Sequence, residues 1–375
     1  MILYNNTKGE CELKTGYFVT GFPGFLSEQL LKEWISGSVS KSIYLLVMPS
    51  MQKQASERLE ELKKINESQS VFHIVQGDIT KPDMGMTHSA SAYLKDKIHY
   101  VWHLAAVYDL AVPKSTAFQV NVTGTHHVNE WVRTLPNIKR YVYFSTAYVA
   151  GKRNGVIKET ELIRPEAFRN HYEHSKFEAE VLVEKMKSEV PVTIIRPAIV
   201  KGSTKSGDTT KFDGPYYLMN IIDKVKSIPV IPYMGKSSAK LNVVPYDYVI
   251  QAANYLAHLP EGEGKTYHLT DPYPYPAREV YRFIMQEQAG RTPSFTMPVK
   301  AVQLTLSIPY VRKYIKAEKE GLDYFFWEAE FDQSQAEEDL RQSGIECPDF
   351  VKAIPSMVRF YEENKHDKRF HRKIK

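Results

Sequence analysis

Only two cysteines occur among the 375 residues, Cys11 and Cys347, near opposite ends of the chain. Neither belongs to a C-x-x-C pair, so a zinc site or dithiol redox centre has no ligand set, and a disulfide scaffold is excluded. No run of about 18 apolar residues occurs, so no segment reads as a transmembrane helix. The N-terminus, Met-Ile-Leu-Tyr-Asn-Asn, lacks the basic region and apolar stretch of a secretory signal. These absences lead to the expectation of a soluble, cytoplasmic protein. Repeats with a period of 20–50 residues are missing too, which removes solenoids and propellers. The body of the chain also lacks excess positive charge. The net +5 arises from six Lys or Arg and one Asp between Lys365 and Lys375, and the remaining acids and bases balance. A nucleic-acid binder carries its basic face on the folded domain, so nucleic acid is not an expected partner. The tail reads as a solvated end, with an anionic membrane surface or an acidic carrier as the alternative.

What is present is an ordinary globular balance, 43% hydrophobic and 25% charged, on a chain long enough for two or three structural units. Short apolar runs at Gly16–Thr20, Ser42–Val47, Val71–Val75, His99–Leu104, Arg140–Ser145 and Val192–Arg196 read as six strands. Helical patterns at Phe25–Ser36, Gln52–Asn66 and Tyr172–Lys187 lie among them. Strands apolar throughout are covered on both faces, and helical crossovers between them imply a doubly wound parallel sheet. The predicted fold class is therefore α/β, Rossmann-type. After about residue 200, Pro and Tyr cluster at Pro229–Tyr233 and Asp271–Pro276 and the pattern turns mainly helical. The predicted units are a dinucleotide-binding domain at 12–205, a smaller substrate lobe at 206–364 with some segments returning to the sheet, and a basic tail at 365–375. Val299–Lys316 reads as an amphipathic helix that packs on its own domain, with a lipid-facing or substrate-covering role as the alternative.

The first strand runs into Gly21-Phe22-Pro23-Gly24-Phe25-Leu26-Ser27. A glycine-rich strand-to-helix turn lets backbone N–H groups approach a pyrophosphate at the positive end of a helix. Ser27 stands where the fingerprint's third glycine would be. Five Tyr-x-x-x-Lys pairs occur: Tyr4/Lys8, Tyr93/Lys97, Tyr148/Lys152, Tyr172/Lys176 and Tyr361/Lys365. Tyr172/Lys176 is set apart because it opens a predicted helix after the fifth strand, where i and i+4 share a face. A phenol holds its proton at neutral pH, and a neighbouring ammonium lowers its pKa toward the range of a general acid. A hydroxyl such as Thr146 at the strand end can hydrogen-bond a reacting carbonyl oxygen. His126-His127 has no third ligand in view, so no metal is predicted. Tyr216, Tyr217, Tyr233, Tyr246 and Tyr248 read as lining a substrate pocket, with core packing as the equal alternative.

Residues from Thr20 to about Thr270 resemble the extended short-chain dehydrogenase/reductase family. The motifs are TGFPGFLS at 20–27, GDIT at 77–80, HLAA at 103–106, NVTGT at 121–125, FSTAYVAG at 144–151, YEHSK at 172–176 and RPAIVKG at 196–202. Within it, FSTAYVAG, RPAIVKGSTKSGD and NVVPYDYV look like fatty acyl-CoA reductase and thioester-reductase domains of the male-sterility type. The resemblance implies Thr146, Tyr172 and Lys176 as the catalytic set, with Tyr172 the proton donor and Lys176 on the ribose. It further implies cofactor contacts from Gly21 to Leu26, from Asp78 and Ile79 at the adenine, and from Ala105, Ala106 and Ser145 along the cleft. Pro197, Ala198, Ile199 and Val200 would pass the nicotinamide, and Asn121 is the helix asparagine. After the second strand the sequence reads Met48-Pro49-Ser50 with Lys53 next, where relatives often carry an arginine for the 2′-phosphate and NAD enzymes carry an acid. A hydroxyl and a lysine without an acid favour NADP over NAD.

The activity implied is NAD(P)H-dependent reduction of a small-molecule aldehyde, ketone or acyl thioester. An acyl-CoA or acyl-carrier thioester would pass through a hemithioacetal to the aldehyde and then, with a second hydride, to the alcohol. The alternatives are a nucleotide-sugar epimerase or dehydratase with tightly bound NAD(P), and a non-catalytic cofactor sensor. Homodimers are common in the family.

Overall fold

The computed structural model describes residues 15–37, 40–64, 70–316 and 319–371. Cys11, the Tyr4/Lys8 pair and the last four residues of the tail lie outside them. Seven parallel strands form the central sheet: β1 (Thr15–Thr20), β2 (Lys41–Val47), β3 (Val71–Gln76), β4 (Ile98–His103), β5 (Arg140–Phe144), β6 (Val192–Pro197) and β7 (Thr266–Leu269), in the order β7-β6-β5-β4-β1-β2-β3. Alternate residues of each strand feed two separate cores, which is why the strands read as continuously apolar. Tyr17, Val19, Leu45, Trp102, Val142 and Ile195 face α1 (Phe25–Ser36), α2 (Gln52–Lys63) and the later helix Tyr246–His258. Phe18, Tyr44, Leu46, Tyr141 and Ile194 face α3 (His88–Lys95), α4 and α5 (His171–Met186) on the other side. Here α4 is the continuous run Lys114–Ala117, Phe118–Thr123 and Gly124–Val132, whose middle part is a π turn.

The strand order reverses beside β1, where β2 lies on one edge and β4 on the other. Ligands of doubly wound sheets sit in the crevice at the carboxyl ends of such strands. The crevice brings the ends of β1, β4, β5 and β6 to one rim.

The chain crosses between units more often than six predicted strands allow. The short parallel pair Ile199–Lys201 and Val243–Pro245 leads into α7 (Tyr246–His258), which lies on the sheet, and β7 closes its edge. Four residues flanked by Gly264 and Thr270 carry too little periodicity to announce β7. The lobe is built on α6 (Tyr216–Val225), α8 (Ala277–Ala289) and, near the end of the described chain, Phe350–Asn364, around Phe212, Met219, Ile284 and Met357. Val299–Lys316 is not one helix. Pro309 begins a new turn, so α9 (Val299–Ser307) and α10 (Pro309–Ile315) form a hairpin that buries Val302 and Ile315 against Tyr217.

The described part of the tail is anchored at Lys365 and Phe370, while Lys368 and Arg369 stay exposed. Lys365 reaches Asp223 at 2.9 Å and Glu362 at 2.6 Å. Phe370 stacks on Phe212 with ring centroids 5.0 Å apart, and its carbonyl accepts the Phe212 N–H at 2.8 Å. Phe212 belongs to the loop that supplies Thr209, Thr210 and Asp213 to the cavity described below. Truncation after Asn364 is therefore expected to cost about 2 kcal/mol of stability and to raise the substrate KM through that loop. Thermal unfolding and steady-state kinetics check this, and an unchanged Tm with unchanged KM would show that the segment holds nothing.

Candidate active site

The site starts with the turn after β1. Gly21 has φ of +94°, and a Cβ there would stand 2.7 Å from the Ala105 nitrogen. A Cβ on Gly24 would stand 2.5 Å from the Gly21 carbonyl oxygen. The chain is thus packed too closely for side chains, leaving a bare backbone surface at the N-terminus of α1. Ser27 ties the turn together by donating to the carbonyls of Gly21 and Gly24, at 2.9 Å each. Gly24 N–H is used within the turn and Glu28 N–H bonds to Gly24 O, so the first-turn N–H groups between them are the donors left for a phosphate. These features fit a dinucleotide.

The opposite wall is made by β5 and α5. Asn170 caps α5 by accepting the Glu173 N–H at 2.9 Å, fixing its first turn. Tyr172, Lys176 and Glu180 then follow at i+4 intervals, one above the other on the face toward the β5 end. Thr146, immediately beyond β5, hydrogen-bonds the Tyr172 phenol. Burial pushes Tyr172 up to about 12, the Thr146 bond works against that, and the neighbouring Glu173 adds to it. From the sequence, Tyr172 is expected to be lowered by its neighbour Lys176; burial raises it instead, while Lys176 has partners of its own. Its ammonium donates to the Tyr143 hydroxyl at 2.8 Å and the Phe144 carbonyl at 2.7 Å. Burial lowers Lys176 to about 7, partly offset by Glu180. Glu180 accepts from Ser145 and pairs with the fully buried Arg196.

Asn121 lies in the π turn of α4, a feature often found at functional sites. Its amide donates to Ser175 at 2.9 Å and brackets Val107 through both backbone groups, so it ties α5 to the loop after β4.

One cavity of about 380 Å³ joins these parts. Of the sequence candidates, Gly21, Gly24, Phe25, Leu26, Ala105, Ala106, Ser145, Thr146, Tyr172, Lys176 and Pro197 to Val200 line it. Phe22 is buried in the core beneath the turn. Met48, Ser50 and Lys53 stand at the end of β2 and the start of α2, off the cavity wall, and Lys53 is 91% exposed with Glu57 at 4.0 Å. Asp78 accepts from the Thr80 N–H and hydroxyl at 2.9 and 2.8 Å, and Ile79 packs against Gly124, where a Cβ would stand 2.7 Å from its Cδ1.

Sequence reasoning missed most of the far end of the cavity, where Leu110, Ile221, Met234, Tyr324 and Phe325 join the expected Tyr217 in an apolar wall. These residues come from four segments spread over more than 200 positions, so no local spacing links them. Of the five tyrosines weighed, Tyr217 lines the cavity. Tyr216 bonds Gly207 O, Tyr233 lies under Arg278, Tyr246 bonds Asp208 and Tyr248 is in the core. His126 faces Glu130 at 3.9 Å and His127 bonds the Ile79 carbonyl. Among the described residues no cluster of His, Cys, Asp and Glu is arranged to hold a metal, and no helix is long and apolar enough to cross a membrane.

A parallel doubly wound sheet, a glycine turn after β1 and a hydroxyl–tyrosine–lysine set beyond β5 define a Rossmann-type protein of the extended short-chain dehydrogenase/reductase class. The chain belongs to the Male sterility protein family, whose model matches residues 19–253. It is 24% identical over 272 residues to the fatty acyl-CoA reductase wat of Drosophila melanogaster, covering 63% of this chain and 53% of that protein. Fatty acyl-CoA reductase 1 of Gallus gallus is likewise 24% identical over 272 residues, with 62% and 52% covered. The chain thus spans about half the length of these curated relatives. Among solved structures, the terminal R domain of the myxalamid PKS-NRPS pathway superposes with a TM-score of 0.77 at 24% identity, covering 94% of this chain and 91% of that one. A UDP-glucuronic acid 4-epimerase of Bacillus cereus reaches 0.63 at 16% identity, with 93% and 97% covered, which reflects the shared fold.

Proposed function

We propose that the chain is an NAD(P)H-dependent reductase of an apolar carbonyl substrate, either an aldehyde, a ketone or an acyl thioester delivered on CoA or a carrier. The observation that carries this reading is a continuous cavity whose one wall is the bare glycine turn and Thr146–Tyr172–Lys176 set, and whose other wall is apolar. A bound nicotinamide dinucleotide supplies the hydride. The α1 turn takes its phosphates and Lys176 its ribose hydroxyls. Thr146 and Tyr172 orient the carbonyl oxygen, and Tyr172, which holds its proton at neutral pH, gives that proton to the oxygen as negative charge develops on it. Leu110, Tyr217 and Phe325 exclude water from the reacting end. The family's fatty acyl-CoA reductases support the thioester as substrate class. NADP is favoured because Ser50 and Lys53 follow β2 where an acid would grip a free ribose diol.

Titration with NADPH and NADH, followed by a panel of acyl thioesters and aldehydes monitored at the reduced cofactor's absorbance, tests the reading. Oxidation of the cofactor by thioesters or long aldehydes is expected. A cofactor that co-purifies and stays bound without net oxidation would overturn it in favour of an epimerase or dehydratase. Lys53→Ala is expected to weaken NADPH about tenfold and NADH hardly at all, and equal losses would refute the 2′-phosphate argument.

A further inference from the structure

Lys176 is buried with its ammonium 4.3 Å from the centroid of the Tyr143 ring and 2.8 Å from its hydroxyl. Tyr143 is wholly buried on β5, so what its hydroxyl does is decided by a closed set of partners. The donors and acceptors can be assigned one by one. Thr125 has one hydroxyl proton and gives it to the Asn121 carbonyl at 2.6 Å. Its oxygen therefore accepts from His103 Nε2 at 3.0 Å. With its proton on Nε2, His103 accepts at Nδ1 from the Thr20 hydroxyl at 2.7 Å, and Thr20 Oγ1 takes the Ala105 N–H at 3.2 Å. Burial first, and the Lys176 charge second, keep His103 neutral, down to about 3, as this assignment requires. The Tyr143 oxygen accepts from the Lys176 ammonium, which also donates to the Phe144 carbonyl at 2.7 Å.

We propose that Tyr143 is a positioning residue: its hydroxyl fixes the Lys176 ammonium beneath the cavity wall and stabilises its charge beside Tyr172. The proposal rests on the reductase reading for its consequence in turnover, but not for the anchor itself. The groups facing Lys176 are Glu180 and Tyr172 from its own helix, Tyr143 and the Phe144 carbonyl from β5, and His103 from β4. Of these, Tyr143→Phe changes only the hydroxyl and keeps the ring.

The test follows the Lys176 side chain directly, by NMR titration of the protein labelled at lysine Cε, with the signal assigned through its loss in Lys176→Met. In Tyr143→Phe the Lys176 midpoint is expected about one pH unit lower than in the wild type, because a hydrogen bond to a charged group is lost. The alkaline limb of kcat should move down by the same amount while the substrate KM stays within about twofold. A folded Tyr143→Phe protein with an unmoved midpoint and limb would overturn the proposal. A shifted midpoint in a protein whose wild type oxidises no cofactor would instead sink the reductase reading and leave the anchor standing. Should Tyr143→Phe fail to fold, Tyr143→Met carries the same test. It also removes the hydroxyl, and the midpoint is expected to fall by about the same amount. No shift there would also overturn the anchor.

Discussion

Replacing Tyr172 by phenylalanine is expected to cut turnover by about a hundredfold to ten-thousandfold while NADPH affinity stays within a few fold. The substitution removes one oxygen and leaves the ring in place at the head of α5. That oxygen is the proton donor of the proposed reaction. Because burial pushes Tyr172 up to about 12, it is protonated throughout the physiological range and can act as an acid. Phenylalanine has no proton to give, and the Thr146 hydroxyl left behind is a far weaker acid. Cofactor affinity should survive because the phosphates are bound by the Gly21–Leu26 turn and the ribose by Lys176. The pH dependence follows from the same values. As pH rises, Lys176, lowered to about 7 in the free protein, loses its charge well before Tyr172 loses its proton. The alkaline limb of kcat/KM therefore reports Lys176 and lies near neutrality. Stopped-flow hydride transfer and fluorescence titration of NADPH separate the two effects. Turnover retained in Tyr172→Phe would remove Tyr172 from the mechanism.

Much of this was legible in the sequence because the relevant signals are local. The Gly21–Ser27 turn announces itself through glycines at fixed offsets behind an apolar run, and the structure shows why: a Cβ at either glycine meets backbone. Tyr172 and Lys176 could be chosen among five similar pairs because only that pair opens a helix after a strand. The rejected pairs illustrate the point, since Tyr148 lines the cavity while Lys152 points outward into solvent, and Lys97 merely covers the exposed Tyr93 ring. What the sequence concealed is set by contacts across the chain. Residues that converge on the apolar wall, such as Leu110 and Phe325, have no common period. The tail reads as charged and free, yet Phe370 finds Phe212, which lies nearly 160 positions earlier. The partner of Lys176 was equally hidden. Tyr143 looks like one more apolar strand residue, and only the pairing of β5 with α5 turns its hydroxyl toward the ammonium.

Removing the carboxylate one turn beyond Lys176 should be the most damaging single change to stability. Glu180 is fully buried and pairs with Arg196, itself 1% exposed, while its second oxygen accepts from Ser145 at the end of β5. Arg196 also donates to the Glu161 carbonyl at 2.9 Å, so the pair ties α5, β6 and the loop at 158–161 together. In Glu180→Leu the guanidinium keeps its desolvation cost and loses its counter-charge, a loss of about 3–5 kcal/mol, lowering Tm by about 5 °C for a chain of this length. The same change withdraws the charge that partly offsets the burial of Lys176, so the Lys176 midpoint should fall as well. A double-mutant cycle separates pairing from packing. Adding Arg196→Met to Glu180→Leu removes the stranded cation, and the double variant is expected to be more stable than Glu180→Leu alone, although the Glu161 carbonyl then loses its donor. If the two losses simply add, the ion pair contributes nothing beyond its separate contacts. If the double variant recovers stability while its activity stays low, the buried pair serves the placement of Lys176 more than the integrity of the fold.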